Sequence, residues 1–195
     1  MSKEIKSICV YCGSRSGVSE DYGQLAESVG TEIAARSMSM VYGAASIGLM
    51  GITAQAALKG GADVIGVIPG HLDAVEITAP NLTELHITKN MHDRKLMMFN
   101  RSDAFIILPG GLGSLDEMME ILTWAQLSVH SKPVVILNHR GFWDKVLDLF
   151  DHIVSEGFAD ARIRSLFFIA ESVGDAFDYL EMQTTADSGR IEDIL

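Results

Sequence analysis

The chain has 195 residues, 48% of them hydrophobic and 21% charged, with a formal net charge of −11. This is the balance of an ordinary globular protein, and the length suits one domain with a substantial core, taken as residues 1–195. The acidic excess argues against a nucleic-acid partner and against an anionic membrane surface, since both draw on a basic face. Met1 to Glu4 is polar, without an apolar signal region, and no run reaches the ~18 apolar residues that span a bilayer, so the expectation is a soluble, cytoplasmic protein.

In chain order, short apolar runs alternate with helical stretches. Strands are expected at 7–12, 38–42, 63–68, 104–108, 134–138 and 167–170, and helices at 20–36, 48–59, 92–100, 115–129, 143–156 and 172–182. The strands are continuously apolar, which marks a sheet covered on both faces. Alternating β and α units then give the α/β class, a doubly wound, Rossmann-like, mostly parallel sheet with helices on both faces. Residues 71–88 are the least regular stretch and read as a flap, and the tail 183–195 as frayed. Cys9 and Cys12, spaced C-x-x-C, lie on a strand where residues three apart face opposite ways, so they read as buried, reduced core thiols. The histidines show no metal-ligand spacing, and no metal is expected.

Glycine turns follow several strands: Gly13-Ser14, Gly43 to Gly48, Pro69-Gly70 and Gly110 to Gly113. In such sheets ligands bind outside the carboxyl ends of the strands, so these turns can converge on one crevice. The richest is Leu108-Pro109-Gly110-Gly111-Leu112-Gly113-Ser114-Leu115-Asp116-Glu117. Glycines let the backbone approach an anion, and a helix start supplies unpaired N–H groups and a favourable dipole. It is neither a Walker A loop nor the G-x-G-x-x-G fingerprint. Ser114-x-x-Glu117 also spells a capping box, in which Ser114 caps the helix and Glu117 bonds back to it, and that reading needs no ligand. Arg94-Lys95, with Arg101 nearby, supplies local positive charge, and Arg94 can fork onto a phosphate or polarise a leaving group. Met91, Met97, Met98, Met118 and Met119 either fill core gaps or line an apolar pocket.

Together these motifs closely resemble the Lonely Guy (LOG) family of cytokinin-activating enzymes, long mislabelled as lysine decarboxylases. The family pattern P-G-G-x-G-T-x-x-E is matched by Pro109 to Glu117, with Ser114 in the threonine place, and its R-K pair by Arg94-Lys95. Its G-G-G-x-x-G-L-M-G turn is similar to Gly43 to Gly51, with Ala44 and Ala45 replacing two glycines. Cys12-Gly13-Ser14, Val67-Ile68-Pro69 and Thr123 to Leu127 extend the likeness, which runs from about Ser7 to Leu180. The resemblance implies hydrolysis of the N-glycosidic bond of N6-modified adenosine 5′-monophosphates to free base and ribose 5-phosphate. It implies Arg94 and Glu117 as the catalytic pair. It implies nucleotide contacts from Ser14, Gly43, Glu76, Met91, Lys95, Gly110, Gly111, Gly113, Ser114 and Thr123. No cofactor is implied; the expected partners are a small nucleotide and a second copy of the chain, as a homodimer or an assembly of dimers. A non-catalytic nucleotide-binding or sensing module, or a nucleosidase for another base, remains open at this point.

Overall fold

A computed structural model describes residues 4–73, 79 and 81–183. Its sheet has seven strands, all parallel, in the order β4-β3-β2-β1-β5-β6-β7. They are β1 (Ser7–Tyr11), β2 (Ser39–Tyr42), β3 (Val64–Pro69), β4 (Glu84–Thr88), β5 (Ala104–Ile107), β6 (Val134–Leu137) and β7 (Phe168–Ala170). The helices are α1 (Glu20–Ala35), α2 (Gly48–Lys59), the single turn α3 (Gly70–Asp73), α4 (Met91–Asn100), α5 (Leu112–Gln126), α6 (Asp144–Ser155) and α7 (Val173–Met182).

The alternation of side chains along β1 divides the core into two layers. Ile8, Val10 and Cys12 face a cluster built with Leu25, Val29 and Ile33 of α1, Leu49 and Ala54 of α2, and Phe177 of α7. Cys9 and Tyr11 face the other cluster, with Met98 and Phe99 of α4, Met118 and Ile121 of α5, and Leu147 and Phe150 of α6. Helices therefore cover both faces, and both cysteines are buried and free, on opposite faces of their strand.

The chain builds outward from β1 through β2, β3 and β4, then α4 carries it back to β5 on the other side of β1. The strand order reverses between β1 and β5, and loops there diverge to opposite faces and leave a crevice. Backbone bonds seal its floor: the Leu108 N–H donates to Tyr11 O at 2.9 Å, and the Gly13 N–H to Pro109 O at 3.1 Å.

The expected flap at 71–88 proves to contain β4, an edge strand paired along β3 from Ile65↔Glu84 to Pro69↔Thr88. Its Glu-Leu-His-Ile-Thr sequence lacks the continuous apolar character of the inner strands, and it lies at a sheet edge largely open to solvent; Leu85 and Ile87 are 43% and 60% exposed. Helix α5 begins at Leu112 rather than 115, which matters for the site below. The expected frayed tail lies outside the described residues except for Gln183. Among the described residues no helix is long and apolar enough to cross a membrane.

Candidate active site

The loops after β1, β2 and β5 converge on a cavity of about 190 Å³ above the β1–β5 crevice. Gly13 and Ser14 come from the first loop, Gly43 from the second, and Gly111 to Ser114 from the third; Arg94 and Glu117 enter from α4 and α5. The Pro69-Gly70 turn, expected at the same edge, is not part of this lining.

Two local features aim the guanidinium. Asn90 caps α4 by accepting the Asp93 N–H at 2.9 Å, so Arg94 falls one turn into the helix, on its buried side. Its Nε–H then donates to Val67 O of β3, and Nη2 to Gly43 O at the end of β2, each at 3.1 Å, while Nη1 lies 3.8 Å from Met91 Sδ. Three of the five guanidinium hydrogens are thereby engaged, and the others remain for a ligand in the cavity. Gly43 is glycine for this reason: a Cβ there would lie 2.0 Å from Nη2.

The glycine loop carries no capping box at Ser114. Gly111 is the N-cap of α5, with no side chain capping the first turn, and Ser114 is the third helical residue. Glu117 is thus a full turn inside the helix, freed from the backbone role its S-x-x-E spacing suggested. The N–H groups of Leu112, Gly113 and Ser114 have no acceptor within the helix, and these three residues line the cavity. A Cβ at Gly111 or Gly113 would meet nothing within 4 Å beyond its chain neighbours and its own helix, so packing does not dictate glycine there. At Gly110 it does, because a Cβ would lie 2.1 Å from Ser114 Oγ.

Glu117 is 9% exposed, and burial lifts its carboxyl from the usual range to about 7. Arg94 and Lys95 draw it down, and Asp116 and Glu120 push it up. An acid titrating near neutrality beside a fixed cation, in a cleft, has the properties of a catalytic group.

The remaining expected residues lie elsewhere. Met91 packs beside the guanidinium. Lys95 turns from the cavity to Asp116 and Glu120, at 3.2 and 2.9 Å. Thr123 is exposed on α5, its hydroxyl donating to Met119 O at 2.7 Å. Glu76 lies outside the described residues. Of the methionines, Met98 reaches the lining while Met118 stays in the core. Tyr11 and Met50 also line the cavity. They were not expected, because the sequence does not reveal which strands flank β1 or how closely α2 approaches it. Among the described residues no cluster of His, Cys, Asp or Glu has the makings of a metal site.

Comparison with known proteins bears on this arrangement. A family model described as possible lysine decarboxylase matches residues 50–180. A cytokinin riboside 5′-monophosphate phosphoribohydrolase of Arabidopsis thaliana is 44% identical over 181 residues, covering 93% of this chain and 85% of that protein. A probable enzyme of the same name from Oryza sativa subsp. japonica is 42% identical over 171 residues, covering 88% and 74%. The fold is shared with the molybdenum cofactor binding protein of Rippkaea orientalis, at a TM-score of 0.70 and 21% identity over 91% of this chain and 96% of that one. With a family match over most of its length and identity above 40% to these relatives, the chain belongs to the Lonely Guy family of cytokinin riboside 5′-monophosphate phosphoribohydrolases.

Proposed function

We propose that the protein hydrolyses the N-glycosidic bond of adenosine 5′-monophosphates, N6-substituted ones above all, releasing free base and ribose 5-phosphate. One observation carries the reading: a backbone-anchored arginine and a buried carboxyl that titrates near neutrality share a cavity at an uncapped helix N-terminus. The names of the relatives supply the substrate class.

In this reading the 5′-phosphate sits on the first-turn N–H groups of α5, with the hydroxyls of Ser14 and Ser114 beside it. Cleavage moves the electron pair of the C1′–N bond onto the base and leaves oxocarbenium character on the ribose. Glu117, ionised, faces that developing charge and takes a proton from the water that adds to C1′. Arginine is too weak an acid to protonate the base. Arg94 instead stabilises the negative charge that builds on the leaving group or phosphate, and the departing nitrogen is protonated from solvent. The working unit is a homodimer or an assembly of dimers, in the cytoplasm with its nucleotide substrate.

The test is incubation with AMP, its N6-prenylated form and other nucleoside monophosphates, with chromatography for base and ribose 5-phosphate. Release from the N6-substituted nucleotide is expected, and none from any monophosphate would refute the reading. Glu117→Gln should bind nucleotide as before and release base at least ~10³-fold more slowly. The active form is the carboxylate, so kcat/KM should climb about tenfold per pH unit up to about pH 7 and level off above it.

A further inference from the structure

Arg94 and Lys95 are adjacent, yet their side chains serve different neighbours. Arg94 reaches the carbonyls at the sheet edge, whereas Lys95 Nζ lies 3.2 Å from Asp116 Oδ2 and 2.9 Å from Glu120 Oε1. These acids bracket Glu117 on α5, one residue before it and three after. The Lys95 side chain is 11% exposed and that of Glu120 23%, so the pair is well sheltered, while Asp116, at 60%, is its wet end. Lys95 is not among the residues that line the cavity.

We propose that Lys95 is a positioning residue and not a nucleotide contact: its bridge to Asp116 and Glu120 clips α5 to α4 so that Glu117 faces the cavity alongside Arg94. The proposal deepens the reading above and rests on Glu117 being the acid that acts there. Besides geometry, the clip sets local charge. The groups around Glu117 are Arg94 and Lys95 from α4, Asp116 and Glu120 from its own helix, and Cys9, Tyr11 and Cys12 from β1. Burial holds the two thiols and the phenol well above their ordinary range, so these three stay neutral, and the four charged groups set the balance. A lysine that offsets two acids favours the Glu117 carboxylate, and each acid opposes it.

Removing Lys95 and removing Glu120 should therefore move the Glu117 titration in opposite directions, whereas removing a lysine that holds substrate would also cost ribose 5-phosphate affinity. In Lys95→Met the acid limb of kcat/KM should move up by roughly half a pH unit, and in Glu120→Gln down by a similar amount. The double variant should return towards the parent, and Lys95→Arg, which keeps both bridges, should retain the parent profile. Affinity for ribose 5-phosphate, measured by calorimetry above pH 8, should change less than about twofold in Lys95→Met. The Glu117 titration is also read by carbon-13 NMR of the labelled carboxyl, assigned with Glu117→Gln, and needs no turnover. Absence of base release with opposed NMR shifts would refute the proposed reaction and leave the clip standing. Shifts in the same direction, or a tenfold loss of ribose 5-phosphate affinity in Lys95→Met with the titration unmoved, would overturn the clip.

Discussion

Gly43 and Arg94 are joined by exclusion as much as by attraction. The carbonyl of Gly43 accepts from Nη2, and its missing side chain gives that nitrogen the space it occupies. The other close neighbour of a Cβ at this position is the Met50 sulfur at 3.2 Å, also the yielding part of a flexible side chain. Gly43→Ala should therefore fold normally and displace the guanidinium, lowering kcat/KM about 10²-fold. Circular dichroism melts beside the base-release assay would check both halves. Glu117 carries a cost of the opposite kind. The folded protein keeps its proton up to about pH 7, whereas the unfolded chain gives it up near 4.5. The native state thus binds the extra proton, and stability from this group declines as pH rises from about 4.5 to about 7. Above pH 7 the buried charge costs up to about 3 kcal/mol. Glu117→Gln should be the more stable protein at pH 8, by about 1–3 kcal/mol, and should lose most of that advantage at pH 4.5. Denaturant unfolding at the two pH values measures this; equal stability at pH 8 would contradict the burial penalty.

At the level of elements, legibility followed apolar character. β1, β2, β3, β5, β6 and β7 were readable because strands such as Ala-Phe-Ile-Ile and Val-Val-Ile-Leu are apolar throughout. β4 was not, since an edge strand with Glu84 and His86 paired to each other looks like a loop until its neighbour is known. The start of α5 was displaced by three residues because Ser114 is a better cap by type than Gly111, yet the chain uses the glycine. The R-K pair and the glycine loop could be picked out as a candidate site from their motifs, but not the different neighbours of Arg94 and Lys95, which depend on how α4 and α5 lie side by side on one face of the sheet. The turn from α5 to β6 holds a further element-scale device. His130 is 6% exposed, its Nε2 2.8 Å from Ile121 O, while its Nδ1 accepts the Lys132 N–H at 3.1 Å. Those partners require the neutral ring, and burial holds its pKa below the ordinary 6.5. The unfolded chain takes up the proton first, so stability from this group is present above pH 6.5 and lost as pH falls below it. His130→Phe should remove that loss, and the difference between its pH–stability curve and the parent's isolates the histidine from the opposing effect of Glu117.

At the scale of the whole molecule, the β4 edge of the sheet exposes two large apolar side chains on one face. Leu85 and Ile87 project from β4, and Ile87 borders a hollow of about 600 Å³ walled by Leu96 and Met97 of α4 together with Lys89, Asp93 and Arg101. This margin suits the second copy of the chain that the proposed assembly needs. If β4 carries the contact of the proposed dimer, Leu85→Lys with Ile87→Lys should give a monomer by light scattering where the parent is a dimer; an unchanged mass would place the contact elsewhere. Because each copy carries a net charge of −11, association of the parent should tighten as ionic strength rises. The anchoring of Arg94 bears on how such a protein can change over time. Its two oxygen anchors are main-chain carbonyls, of Val67 and Gly43, and a carbonyl is present whichever amino acid a codon specifies. Replacing Val67 alters packing without deleting the acceptor. The cation's place is written into the path of the backbone, so substitutions at the rim of the cavity other than at Gly43 leave its acceptors in place, and in the proposed reaction new bases can be tried by mutation without unseating Arg94.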